Sequence, residues 1–455
     1  MSGQPADGDK QAMQSSSISF EPYLSSVAHG LLRNPIRSVV LQMQQHPGCL
    51  SLAGGRPPAD VFPESLQAKG EELMNYSGNL AIGTQNLRDW AQTFVERFHS
   101  PPNGWSTRDI VLTSGNTDGM AKAVQLLANP GDAIIVDDFT YPGITACAVP
   151  FGRAVYGVTM DQEGMMPEHL QAMLENGLPD GQVARLLYLC PHGQNPTGAL
   201  MSKARKEAIY ALARQHNLTI LEDDPYFFAN LAPSSTMRQP LRPEDMPGTE
   251  AFPESFLSLD VDSRVLRLDT VSKFLAPGLR IGWATGHRTL MAKWKVLAEV
   301  TTWSMSGVQQ EAFMSTMQDL ESEGGLHGHL QRLQCTYARR RDYLLKACDR
   351  HLQGLCCWNV PRFGMFLWLE VVGNMNTSKL VDTLISEYGI AIVPGSAFRT
   401  SGSTKANSGS AFFRMSFSLV TEEMADTAMS RLKTALQAST SSFPSIHQPQ
   451  EKTKK

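Results

Sequence analysis

Short β-branched runs alternate with helical stretches through the middle of this chain. The runs are 110–112, 133–136, 154–158, 184–189, 218–221, 264–268 and 281–284, and the alternation begins at about Asp109. Strands separated by helical crossovers predict an α/β domain with a mostly parallel sheet. Ligands in such sheets sit at the carboxyl ends of the strands. Past about residue 287 the pattern turns helical, at 290–302 and 328–352, then returns to strand-like segments at 365–370, 390–393 and 412–417. These predict a second, smaller α+β domain. Residues 1–17 and 438–455 are rich in Ser, Gln, Lys and Pro and poor in large apolar side chains, which predicts disordered tails. No internal repeat and no heptad pattern interrupts this organisation.

Composition narrows the function classes. With 455 residues, 42% of them hydrophobic, the chain can bury a substantial core in two or three domains. Net charge is -4 and no long basic or aromatic-interleaved stretch occurs, which argues against a nucleic-acid surface. No apolar run approaches the roughly 20 residues that a membrane helix needs. Residues 1–17 are polar and lack an apolar signal-peptide centre, so the cytosol is the expected location. The seven cysteines are scattered, with no C-x-x-C pair and no His at zinc-ligand spacing, and read as reduced thiols. Adjacent Cys356 and Cys357 fit a reducing compartment, and no metal is expected.

Candidate chemistry collects at the predicted strand ends. Lys273 lies in a run that also offers the hydroxyls of Thr270 and Ser272 and the planar guanidinium of Arg280, a set suited to a phosphate. A lysine amine beside such a pocket is what a Schiff base with pyridoxal phosphate requires. A lysine and an arginine flanking an apolar strand at the surface would look the same. Asn116 and Thr117 follow a strand and open a helix, where free backbone N–H groups can bind phosphate; common strand-helix turns share that pattern. Tyr141 sits just past the next strand, placed either to stack on a flat ring or to pack on its own domain. Asn195, in a Pro- and Gly-punctuated loop, is read as a donor to a ring oxygen or as turn chemistry. Asp224 ends an apolar strand in the run Glu222-Asp223-Asp224. Consecutive acids are costly to bury without a cation, and a pyridinium nitrogen would be one. A metal is the competing ligand, but no second ligand cluster accompanies these acids, and Asp223 is read as a cap on the next turn.

Taken in order, Tyr141, the Asn195-Pro196-Thr197-Gly198 loop, Asp224 and the segment from Ser272-Lys273 to Arg280 resemble the class I, fold type I aminotransferases. The branch with kynurenine/α-aminoadipate and fungal aromatic aminotransferases is most similar, over about residues 30–435. Runs at 51–55, 222–226, 278–282, 364–368 and 394–398 carry the likeness. It implies a seven-stranded, mostly parallel sheet in a large domain (51–325), a small α+β domain (326–437) and an arm (18–50) that belongs with the small domain. It implies pyridoxal phosphate attached to Lys273, whose freed amine then moves the proton. Asp224 would hold the ring nitrogen, Asn195 the ring hydroxyl and Tyr141 the ring face. Asn116, Thr117, Thr270, Ser272 and Arg280 would bind the phosphate. Arg414 would pair with the substrate carboxylate, with Gly55, Arg37 and Phe366 beside the substrate. Tyr76 would reach the phosphate of the other subunit, implying a homodimer with shared sites. The implied substrates are an aromatic or broad-range amino acid and a 2-oxo acid.

Two departures from the family pattern stand out. Ser114-Gly115-Asn116-Thr117 replaces the usual Ser-Gly-Ser-Gln, leaving backbone donors unaffected. Phe227 occupies the place three residues after Asp224 where the family has a tyrosine, which predicts a Schiff base that is harder to deprotonate. A β-eliminating carbon–sulfur lyase of the same fold is the main alternative and is slightly favoured by Phe227. A transcription regulator with an aminotransferase-like domain is the lesser one, since no basic DNA-binding module fits ahead of residue 51.

Overall fold

The computed structural model describes residues 18–30, 81–233, 241–322, 324–373, 375–400 and 411–441. Arg37, Gly55 and Tyr76, with the run at 51–55, lie outside the described residues.

All seven runs expected as strands pair into one sheet. They are β1 (Arg108–Thr113), β2 (Ala133–Asp137), β3 (Ala154–Val158), β4 (Ala184–Leu189), β5 (Thr219–Asp223), β6 (Val265–Thr270) and β7 (Gly282–His287). Their spatial order is β1-β7-β6-β5-β4-β2-β3. Only β7 runs against the rest, pairing antiparallel with both β1 and β6. The central strands are buried at nearly every position because helices cover both faces, as a parallel sheet requires. Helices α1 (Gln85–His99), α2 (Asn116–Leu127), α3 (Lys203–Gln215) and α4 (Arg288–Thr301) belong to these layers.

Two cores result, one on each face. Leu187, Leu189, Ile220 and Val265 point to the face packed by α1 and α3. Leu186, Tyr188, Leu221, Leu266 and Leu268 point to the face packed by α2 and α4. This alternation along β4, β5 and β6 decides the chemistry at their ends.

A second sheet contains β8 (Cys356–Trp358), β9 (Phe366–Val371), β10 (Val393–Pro394) and β11 (Phe412–Ser416), in the antiparallel order β8-β9-β11-β10. The strand expected at 390–393 shrinks to two residues, ending at Pro394, which lacks the N–H that would continue a ladder. Helix α5 (Gly325–His351) joins the sheets: Leu330 lies in the core under the large sheet, while Cys335, Ala338, Leu344 and Cys348 lie in the small one. Helix α6 (Glu422–Ser441) packs on α5 and runs past 438, into the expected tail, because its buried stripe of Ala425, Met429, Leu432 and Leu436 carries it that far.

The expected arm is corrected over its described part. Residues 18–30 pack on the large sheet, not the small domain: Phe20, Leu24 and Ala28 enter its core, and Ser25 N–H donates to the Leu126 carbonyl at 2.7 Å.

Candidate active site

The carboxyl ends of β4, β5 and β6, the start of α2 and the near end of the small sheet enclose a cavity of about 450 Å³. Its walls include Asn116, Thr117, Tyr141, Asn195, Thr270, Ser272, Lys273, Arg280, Phe366 and Arg414, all expected from the sequence. Cys190, Asp223, Tyr226 and Tyr188 join them. Asp224 and Phe227 do not.

Lys273 ends a short 3-10 turn directly after β6. Burial lowers its amine below the usual lysine value, and the cations Arg280 and Arg414 lower it further. A larger neutral fraction makes it a better nucleophile and base. Helix α5 holds the backbone here: Tyr337 Oη donates to the Lys273 carbonyl at 3.3 Å, and His329 Nε2 lies 2.5 Å from the Phe274 carbonyl.

The phosphate end is built from local turns. Thr270 Oγ1 accepts from the Ser272 amide at 3.2 Å and lies 2.9 Å from Ser272 Oγ, bringing both hydroxyls to one place. Arg280 sits in the left-handed region at φ 50° and donates to the Ser114 carbonyl at 2.5 Å. Gly115 is required beside it, because its φ is +87° and a Cβ there would stand 2.6 Å from the Arg280 guanidinium. The Asn116 side chain is placed differently from expectation. It turns from the phosphate end to the strand end, where Nδ2 donates to Asp223 Oδ1 at 2.6 Å and to the Leu268 carbonyl at 3.1 Å.

The acid facing the cavity is Asp223. Its other oxygen accepts from Tyr188 Oη at 2.7 Å. Burial pushes its carboxyl up to about 6, against the pull of the Tyr188 and Asn116 hydrogen bonds. Among the described residues it forms no ion pair, so an anion here calls for a cation in the cavity.

Asp224 is corrected. Its Oδ2 lies 2.7 Å from His192 Nδ1 and 3.0 Å from Arg267 Nη1, out of the cavity. Burial raises its carboxyl, but His192 and Arg267 outweigh that and hold it below the usual range. The cation that these consecutive acids demanded is Arg267, which also meets Glu222 at 3.1 Å and Asp269 at 2.9 Å. The cause is the pleat. In register, Glu222 faces Arg267, and successive residues alternate faces, so Asp223 takes the opposite side, with Leu221 and Tyr188.

Phe227 moves with this correction. It is fully buried, stacked on Phe252 at 4.8 Å, with the Arg267 guanidinium 5.2 Å from its ring centroid. The aromatic that lines the cavity three residues after the facing acid is Tyr226. The expected effect of a missing hydroxyl therefore loses its footing. The signals that sequence reasoning passed over were the two-residue period of β5 and an arginine on the adjoining strand. Tyr188 gave none, reading only as an apolar-strand residue.

At the opposite wall, Arg414 projects from β11, and its guanidinium lies between Phe366 at 4.5 Å and Phe398 at 4.8 Å. Nη1 donates to Asn195 Oδ1 at 2.9 Å, while buried Nε has no partner. A carboxylate would complete that set as a bidentate pair. Among the described residues no group of three or more His, Cys, Asp and Glu side chains could hold a metal ion.

These residues fit pyridoxal phosphate: hydroxyls, an arginine and a helix start for the phosphate, an unpaired buried acid for the ring nitrogen, and a lysine amine between them. The comparisons agree. The family profile "Aminotransferase class I and II" matches residues 47–432. Mouse mitochondrial kynurenine/α-aminoadipate aminotransferase is 32% identical over 439 residues, covering 91% of this chain and 98% of that one. An aromatic amino acid aminotransferase of Schizosaccharomyces pombe is 33% identical over 370 residues, covering 77% and 75%. The crystal structure of the aromatic aminotransferase Aro9 from C. albicans superposes with a TM-score of 0.79 at 25% identity, covering 93% of this chain and 99% of that one. With its fold, its lysine-centred cavity and these relatives in agreement, the chain belongs to the class I and II aminotransferases, enzymes that use pyridoxal phosphate.

Proposed function

We propose that this enzyme transfers the amino group of an aromatic L-amino acid to a 2-oxo acid, with Lys273 as the catalytic residue and Asp223 as the ring-nitrogen partner. The observation that carries the reading is one cavity in which Lys273, Asp223, Arg280 and Arg414 converge. Pyridoxal phosphate, when bound, supplies an electron sink for the bond broken at the substrate Cα. Thr270, Ser272, Arg280 and the N-terminus of α2 would hold its phosphate. Tyr141 would cover one ring face, and Asn195 and Tyr226 would donate to its ring oxygen. Arg414 would hold the substrate α-carboxylate, orienting Cα toward the Lys273 amine, which takes up and returns the Cα proton.

The aromatic preference rests on the walls around Arg414. Among the described cavity residues the cations are Lys273, Arg280 and Arg414, each with a role at the cofactor or the α-carboxylate. Phe366 and Met365, which have no role at the cofactor, are left to meet the substrate side chain, which favours a flat apolar one. Phe227 no longer favours elimination, because it faces the core.

A homodimer with shared sites, and a cytosolic location, belong to the same proposal. The six described cysteines are all free, which fits a reducing compartment, and among the described residues no helix is long and apolar enough to cross a membrane. Subcellular fractionation decides between cytosol and the organelle in the mouse relative's name. Light scattering, with recovery of activity on mixing Lys273→Ala and Tyr76→Phe chains, tests the shared site.

The substrate test is a half-reaction screen. The bound cofactor's absorbance is followed with each amino acid in turn, and products are assayed with a 2-oxo acid present. Phenylalanine, tyrosine, tryptophan or kynurenine should convert the cofactor fastest and yield a new amino acid. Faster conversion by glutamate or 2-aminoadipate alone would overturn the aromatic assignment, and ammonia with pyruvate from a cysteine conjugate would overturn transfer.

A further inference from the structure

Behind the cavity wall runs a buried chain of polar side chains that the reaction itself does not use. Lys206, on α3, donates from Nζ to His192 Nε2 at 2.7 Å and to the Glu254 carbonyl at 2.7 Å. His192 Nδ1 meets Asp224 Oδ2 at 2.7 Å, and Asp224 meets Arg267 at 3.0 Å. All four residues are buried.

The order of donors follows from chemistry. Burial lowers Lys206 to about 8, so at neutral pH it is mostly an ammonium, which only donates. His192 Nε2 must then accept, the ring proton sits on Nδ1, and Nδ1–H donates to Asp224. Burial favours this neutral imidazole.

The position of the chain gives it a consequence. Asp224 is the first residue beyond β5; its amide donates to the Leu268 carbonyl at 3.3 Å, and its side chain is held in place by the partners it meets there. Arg267 is already shared with Glu222 and Asp269, leaving three carboxylates on one guanidinium. Without a second donor, Asp224 would be the least well held of the three, and its neighbour in the chain is the acid that faces the cavity. His192 also stands in the loop between β4 and Asn195, with Phe227 edge-on to its ring at 5.3 Å. Gly193 allows that loop to lie against Gly364, where a Cβ would come within 2.5 Å of a backbone nitrogen.

We propose that His192 is a positioning residue for ring-nitrogen recognition: with its tautomer set by Lys206, it holds Asp224 on Arg267 and leaves Asp223 as the single carboxylate presented to the cofactor. The inference rests on Asp223 being the ring-nitrogen partner.

The test compares two probes on the full chain after its cofactor is stripped and titrated back: pyridoxal phosphate, and its carbocyclic analogue with C–H in place of the ring nitrogen. His192→Phe should bind pyridoxal phosphate at least about tenfold more weakly and the analogue within about twofold of wild type. His192→Asn, whose amide stands near the Nδ1 position and restores a donor to Asp224, should recover pyridoxal phosphate affinity to within about threefold of wild type. Equal weakening for both probes, or no weakening for either, overturns the inference. Should His192→Phe fail to fold, His192→Leu serves in its place, since it too removes the donor to Asp224, and the same outcomes decide. Asp223→Asn separates the two levels. If it leaves the preference for the nitrogen-bearing ring intact, the underlying assignment is wrong; if it abolishes that preference while His192→Phe does not, only the role of His192 falls.

Discussion

Where β5 and β6 end, Glu222, Asp224, Arg267 and Asp269 occupy one face of the large sheet and Asp223 the other. On the first face the guanidinium meets three carboxylates, and His192 and Lys206 extend the set. On the cavity face Asp223 has hydrogen-bond donors but no ion pair among the described residues, and Arg414 nearby keeps a buried, unpartnered Nε. Both faces are buried. Neighbouring carboxylates on one strand can thus differ completely in use, because a buried charge whose counter-charge lies within the protein is committed to the fold, and one without it is available to a ligand.

That contrast can be broken first at the lysine. Lys273→Ala should lower turnover about a thousandfold or more, measured by single-turnover absorbance of the cofactor, with no comparable loss of folding. Retained full turnover would remove the cavity face's claim to the chemistry.

On the closed face, Arg267→Met strands Glu222, Asp224 and Asp269, and should cost about 3–5 kcal/mol in denaturant unfolding. Arg414→Met should cost little stability, since no carboxylate pairs with it, while raising KM for the amino acid. Similar losses for both would erase the contrast between paired and unpaired arginines.

A pH series sharpens it further. Burial raises the Asp223 carboxyl to about 6 in the fold, from an ordinary aspartate value of 3.8. The folded state therefore holds this proton more tightly than the unfolded chain does. Its contribution to stability is fully present below about pH 4 and is lost as pH rises through about 6. Without cofactor, wild type should lose about 3 kcal/mol relative to Asp223→Asn across that window. Asp224, held below its usual value, contributes in the opposite sense and is destabilising to lose on acidification. Thermal unfolding of the stripped protein between pH 4 and 7 measures the Asp223 contribution, that of Asp224 being lost only below about pH 4, and a flat difference between wild type and Asp223→Asn would contradict the assignment.

The smallest effects distinguish the adjacent aromatics. Tyr226→Phe should shift the midpoint of the bound cofactor's pH titration. Phe227→Tyr should leave it in place and cost about 1–3 kcal/mol, because a hydroxyl enters an apolar core unpaired. A midpoint that follows position 227 instead would restore the reading in which Phe227 faces the ring.

Much of this enzyme is legible along the chain. The seven large-sheet strands and the helices at 288–301 and 325–351 follow from local periodicity, since alternation and helical spacing are properties of neighbouring residues. Lys273, Thr270, Ser272 and Arg280 follow from a short turn that brings its own donors together. Arg414 and Asn195 were readable as chemistry, although their hydrogen bond spans 219 positions. Arg37, Gly55 and Tyr76 lie outside the described residues, and their roles remain expectations drawn from resemblance.

By itself, then, the sequence determined the kinds of element, the candidate lysine and the charges that suit a phosphorylated cofactor, all carried by local pattern or side-chain chemistry. Tertiary structure decided which of two adjacent acids faces the cavity. The choice depends on the phase of β5 in the sheet and on Arg267 standing opposite Glu222, a register between strands more than 40 positions apart. It also placed Tyr188 and Asn116 on Asp223, from β4 and α2, across 35 and 107 positions. Sequence neighbours cannot reveal such partners, because the cost of burying a charge is settled by whatever the fold brings within about 3 Å of it.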